Sequence, residues 1–103
     1  AKDYVEAMWL MLQQDKPDDY IIASGQTYSV KDFLVEAFSL VNLDWQKYVK
    51  FDQRLLRPKG DFSLFVGDAS KARKVLNWKP KTSFKEIVRL MLEADLKSEG
   101  VSL

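Results

Sequence analysis

The predicted fold depends most on one short stretch, Tyr20-Ile21-Ile22-Ala23-Ser24, which is followed by Gly25. The run is rich in β-branched and aromatic residues and does not alternate with polar ones, so it predicts a strand covered on both faces. Such a strand needs neighbours, and two further runs are candidates: the alternating residues 48–51 and the apolar residues 62–66. Three short strands make a poor sheet alone, so we expect that a larger sheet is missing from this chain.

Four helices are predicted around these strands. They lie within residues 2–14, after Ser29, over residues 69–76 and after Ser83, and both serines begin capping-box patterns. The apolar stripes expected to face the core are Val5, Met8, Trp9 and Leu12; Phe33, Leu34, Ala37, Phe38 and Val41; Ala72, Val75 and Leu76; and Phe84, Ile87, Val88, Met91 and Ala94. Trp78 is expected to fold back onto the third helix. The sequence therefore predicts one domain over residues 1–103 of the α/β class, or mixed α+β in isolation.

Composition excludes several classes of function. The 103 residues contain neither cysteine nor histidine, which removes disulfides, thiolate nucleophiles, Cys/His zinc sites and imidazole bases. Sixteen basic residues face 15 acidic ones, so no net field favours nucleic acid. No apolar run approaches the ~20 residues that a membrane span needs, and no basic, apolar leader opens the chain, so we expect neither a membrane partner nor a signal peptide.

The loop Arg57-Pro58-Lys59-Gly60-Asp61 carries the strongest candidate site. A guanidinium can bind phosphate oxygens with two parallel hydrogen bonds, while a nearby carboxylate can accept hydrogen bonds from a ribose or a base. The spacing alone favours the plainer interpretation, an exposed salt bridge between Arg57 and Asp61 across a turn. Arg54 and Lys59 would enlarge the positive patch without deciding between the two.

Other polar positions have structural explanations. The turn at residues 25–28 joins a strand to a helix and could receive an anion, but it lacks a glycine-rich fingerprint. Capping and turn formation account for Asp3 and for Asp18-Asp19. No nucleophile is recognisable together with a base, so the residues alone indicate no catalytic constellation.

Several segments, taken in order, resemble one family. They are Ala1-Lys2-Asp3-Tyr4-Val5-Glu6-Ala7-Met8-Trp9-Leu10-Met11-Leu12-Gln13, Asp18-Asp19-Tyr20-Ile21-Ile22-Ala23-Ser24-Gly25, Gly67-Asp68-Ala69-Ser70-Lys71-Ala72 and Leu76-Asn77-Trp78-Lys79-Pro80-Lys81. These resemble the C-terminal portion of the GDP-mannose 4,6-dehydratases, which are extended short-chain dehydrogenase/reductases. The general Leu-x-Trp-Lys-Pro pattern alone would fit many nucleotide-sugar enzymes.

The resemblance implies a two-part enzyme. In the family, an N-terminal Rossmann domain binds NADP and supplies the residues that oxidise C4, remove water across C5 and C6, and complete the re-reduction; the C-terminal part holds GDP-mannose. Neither the glycine-rich turn nor the Tyr-x-x-x-Lys motif occurs in these 103 residues. We therefore expect a substrate-binding portion without its Rossmann half, which binds no cofactor and catalyses nothing alone, in a cytoplasmic protein.

The resemblance also bears on the candidate loop. The family has an Arg-Pro-x-Glu segment whose Arg contacts phosphate or ribose oxygens and whose Glu contacts the nucleoside. Arg57 and Pro58 match it, but Gly60 stands at the Glu position and Asp61 follows one residue later. Gly60 could permit the backbone to re-aim Asp61; otherwise the nucleoside contact is lost. We therefore expect Arg57 and Asp61 to be the substrate-binding residues.

Two other functions stay open at this stage. One is a non-enzymatic, stand-alone interaction module derived from such an enzyme, which binds a partner protein through the apolar face left by the missing Rossmann domain; self-association through that face is a related expectation. The other keeps the fold but binds a different nucleotide-sugar, as a dehydratase or an epimerase would.

Overall fold

A computed structural model describes residues 1–56 and 65–103, and these residues contain four α-helices. The helices are α1 (Lys2–Leu12), α2 (Val30–Leu40), α3 (Ser70–Leu76) and α4 (Phe84–Ser98), with single 3₁₀ turns at Trp45–Lys47 and Gln53–Leu55. The chain forms two units. Residues 1–27 and 65–83 make unit 1, and residues 28–64 and 84–103 make unit 2.

Unit 1 is built where α1 packs against α3. Its buried core consists of Ala7 from α1, Ala72 and Leu76 from α3, and Trp78 just beyond α3. Asn77 ends α3 in the left-handed conformation, with φ of 53°, which lets the Trp78 backbone N–H return to the Ala72 carbonyl at 3.3 Å. The predicted return of Trp78 onto this helix is confirmed, because the side chain is buried. Val75, predicted to face inward, is exposed instead.

The buried face of α1 differs from the predicted one. The stripe that periodicity assigned to the core is exposed, with Val5 at 57%, Met8 at 60%, Trp9 at 61% and Leu12 at 82%. Ala7, Leu10 and Met11 contact the core instead. The helix is therefore apolar around more of its circumference than its partners in unit 1 cover, and its one fully buried residue is also its smallest, Ala7.

Unit 2 is built where α2 packs against α4. Ser29 caps α2 in a full capping box with Asp32, as predicted. The predicted α2 stripe is confirmed as the inward face, since Phe33, Leu34, Ala37, Phe38 and Val41 are all partly buried. The ring of Phe84 stacks on Tyr28 at 3.9 Å between centroids and meets Phe33 edge-on at 6.4 Å.

The inward face of α4 is only partly the predicted one. Val88 is fully buried and Phe84 is partly buried, but Ile87 and Met91 are 40% and 52% exposed. Leu92 and Leu96 are partly buried instead. The helix ends at Ser98, and Gly100 shortly after it has a φ of 75°.

The predicted α/β fold class is wrong: residues 1–56 and 65–103 contain no strand and are helical. Residues 20–24 have no strand partner among them. Tyr20 and Ile22 pack on the unit 1 core while Ile21, between them, is 60% exposed. The segment thus packs only one of its faces against the core. It does not form the backbone hydrogen-bond ladder that would pair it with a neighbouring strand among the described residues. Residues 48–51 form no strand either; the remaining predicted strand, residues 62–66, lies outside the described residues except for Phe65 and Val66, which are not in a strand.

Candidate functional site

The two predicted substrate-binding residues, Arg57 and Asp61, lie outside the described residues, as do Pro58, Lys59 and Gly60. Their neighbour Arg54 is described. Its Nε and Nη2 atoms donate to Asp52 Oδ1 at 3.2 Å and to Asp52 Oδ2 at 3.0 Å. This fork lowers the pKa of Asp52, the side-chain contact with Arg54 being the main cause. Arg54 is therefore already paired with a carboxylate, while Arg57 and Lys59, the other basic residues of the predicted patch, lie outside the described residues.

A cleft of about 280 Å³ opens in unit 1 and is lined by Asp19, Tyr20, Ile21, Asp68 and Lys71. The turn after α1 supplies Asp19, and the extended residues that follow supply the apolar wall. Asp68 and Lys71 come from the start of α3. In the sequence these residues belong to a predicted turn, a predicted strand and the start of a predicted helix, and no local pattern indicates that they line one cleft.

The ammonium of Lys71 is held by the turn across the cleft. Its Nζ atom donates to the Asp19 carbonyl at 2.8 Å and pairs with Asp18 Oδ2 at 2.8 Å, and it lies 5.0 Å from the centre of the Tyr20 ring. The hydrogen bond with Asp18 raises the pKa of Lys71 and lowers the pKa of Asp18. The expectation that turn formation explains Asp18 therefore missed a cationic partner 53 residues along the chain. This cation is neutralised locally.

Asp68 is committed to the first turn of α3. Its Oδ1 atom accepts hydrogen bonds from the Ser70 backbone N–H at 2.9 Å and from the Ser70 hydroxyl. These bonds lower the pKa of Asp68, with the hydroxyl contact as the largest cause. The cleft thus combines an apolar wall with charges that already have protein partners, and it brings no nucleophile beside a base.

The turn at residues 24–28 is organised by its own groups. Gly25 has a φ of 81°, and Ser24 Oγ accepts from the Gln26 N–H at 3.3 Å. Tyr28, the last residue of this segment, stacks on Phe84. The local contacts are those of a plain turn into a helix, with no bound anion needed to explain them.

Asp3 is the carboxylate whose importance sequence reasoning missed. Its Oδ2 atom accepts from the backbone N–H groups of Lys81 and Thr82, both at 2.8 Å, and Oδ1 accepts from the Thr82 hydroxyl at 3.1 Å. The Asp3 carbonyl also accepts from Trp78 Nε1 at 3.0 Å. The backbone bond from Thr82 is the main reason that the pKa of Asp3 is lowered. Its partners are 75 to 79 positions away, so no local pattern signals them.

The part of the chain that the structure describes contains neither a membrane-spanning helix nor a cluster of metal ligands. No helix there is long and apolar enough to cross a membrane. Within residues 1–56 and 65–103, no cluster of three or more acidic, histidine or cysteine side chains is placed to hold a metal ion.

Comparison with known proteins identifies the family. The sequence profile of the GDP-mannose 4,6 dehydratase family matches residues 1–91. The chain is 50% identical over 97 residues to GDP-mannose 4,6 dehydratase 1 of Arabidopsis thaliana, covering 94% of this chain and 27% of the relative. It is 39% identical over 114 aligned positions to the human GDP-mannose 4,6 dehydratase, and 36% identical over 113 to that of Sinorhizobium fredii.

These matches run through both units and through the segment that carries Arg57. The chain therefore belongs to the GDP-mannose 4,6-dehydratase family, as its motifs suggested. It covers 30% of the human relative and 32% of the S. fredii relative, so it spans about a quarter to a third of the length of the curated proteins it matches.

Proposed function

We propose that this chain is the substrate-binding portion of a GDP-mannose 4,6-dehydratase, the enzyme type that converts GDP-mannose to GDP-4-keto-6-deoxymannose with loss of water. The observation that carries the proposal is the family match over residues 1–91, which includes Arg57-Pro58 in its expected order. A cytoplasmic location is part of the same proposal.

Arg57 is the residue proposed to bind the diphosphate. Its planar guanidinium can form two charge-assisted hydrogen bonds to phosphate oxygens, and it has no ionisation change near neutral pH. Asp61 is proposed to take the nucleoside contact that a glutamate makes in the family, on a side chain one methylene shorter. NADP belongs to the proposed whole enzyme, where it would accept and return the hydride. No residue of this chain is assigned to it, because the 103 residues contain no glycine-rich turn.

Calorimetric titration with GDP, UDP and dTDP tests the proposal. GDP is expected to bind more tightly than the other two. Arg57→Ala should weaken GDP binding by roughly 1.5 to 3 kcal/mol, since it removes charge-assisted hydrogen bonds. Arg54→Ala is the matched control, because Arg54 is already paired with Asp52. Equal GDP affinity in the wild type and in Arg57→Ala would remove Arg57 from the site.

The same titration addresses the alternative substrate. Tighter binding of UDP or dTDP than of GDP would favour another nucleotide-sugar dehydratase or epimerase, and the observation behind that alternative is Gly60 at the expected Glu position. Asp61→Glu separates the two further: if Asp61 substitutes for that glutamate, the longer side chain should retain GDP binding while Asp61→Ala loses it.

Self-association is the second candidate property, proposed for a stand-alone interaction module. The large apolar side chains that α1 leaves exposed support it.

A further inference from the structure

We draw no further inference here: the strongest candidate, the exposed apolar face that α1 presents in unit 1 through Val5, Met8, Trp9 and Leu12, carries none because nothing in the structure shows what covers it, in a chain that spans only about a quarter to a third of its relatives' length.

Discussion

Asp3 joins two parts of unit 1 that are distant in the sequence. Its side chain receives hydrogen bonds from Lys81 and Thr82, and its carbonyl receives one from the buried Trp78 indole. One residue at the first turn of α1 thus fixes both the connector after α3 and the tryptophan that fills the core. Composition and periodicity predicted that Trp78 would be buried, but its polar partner could not be inferred, since nothing local in Asp3-Tyr4 indicates a distant donor.

Asp3→Asn should destabilise the protein by about 1 kcal/mol, after allowing for solvent screening at this surface. The amide keeps one acceptor oxygen but loses the negative charge, and its NH₂ group would face backbone donors. Urea unfolding followed by tryptophan fluorescence measures the change. Asp18→Asn is the control, because Asp18 makes an exposed pair with Lys71 that is expected to contribute little.

The destabilisation by Asp3→Asn should depend on pH. Hydrogen bonds hold the pKa of Asp3 below its ordinary value of 3.8, so the charged form stabilises the fold above that pH. The stability difference between wild type and variant is expected to be full near neutrality and to shrink as the pH falls below 3.8 through the lower folded pKa. A constant difference across that window would mean that the charge of Asp3 does not contribute.

At the scale of elements, periodicity found the helices better than it found their buried sides. The α2 stripe was correct, whereas α1 and α4 bury only part of the predicted residues. The apolar residues of a helix can define a face that is wider than one neighbouring helix covers. The position of that neighbouring helix then determines which part of the apolar face is buried. In α1 that part is the one with Ala7, where α3 can approach closely; Met8 and Trp9 are bulkier and stay outside.

Gly67→Ala tests the close approach of two extended segments in unit 1. A Cβ atom built on Gly67 would lie 2.5 Å from the Cβ of Ala23, so the substitution must displace one segment. We expect a loss of roughly 1 to 3 kcal/mol in thermal or urea unfolding. The double variant Gly67→Ala with Ala23→Gly should recover much of that loss, because it removes the methyl group that clashes; no recovery would place the strain elsewhere.

At the scale of the molecule, the helices and the Ser29 capping box were predictable, but the α/β class was not. The Tyr20–Ser24 run has strand composition, yet strand formation depends on backbone partners that a local sequence does not reveal. Prediction of the candidate site from the sequence was limited in a similar way. Arg57 and Asp61 came from a loop pattern and a family resemblance, whereas the cleft between Asp19 and Lys71 depends on a contact across 52 residues.

The division into two units predicts separate cooperative responses. Trp78→Ala should lower amide protection from hydrogen exchange more in α1 and α3 than in α2 and α4, because Trp78 lies in the unit 1 core. Val88→Ala, in the buried face of α4, should do the reverse. Mass-spectrometric exchange at the peptide level measures both. Uniform loss of protection in either variant would indicate a single cooperative unit.

The pairing of Asp3 with Trp78 has a consequence for the order of synthesis. The ribosome completes Asp3 of α1 75 residues before it reaches Trp78, which belongs to the core that covers the inner face of the helix. Throughout that interval the inner face of α1 lacks the complete set of its partners Ala72, Leu76 and Trp78. Nascent α1 should therefore be a binding site for chaperones. Truncation of the chain before Trp78 should leave the inner face of this helix without the tryptophan that completes its core.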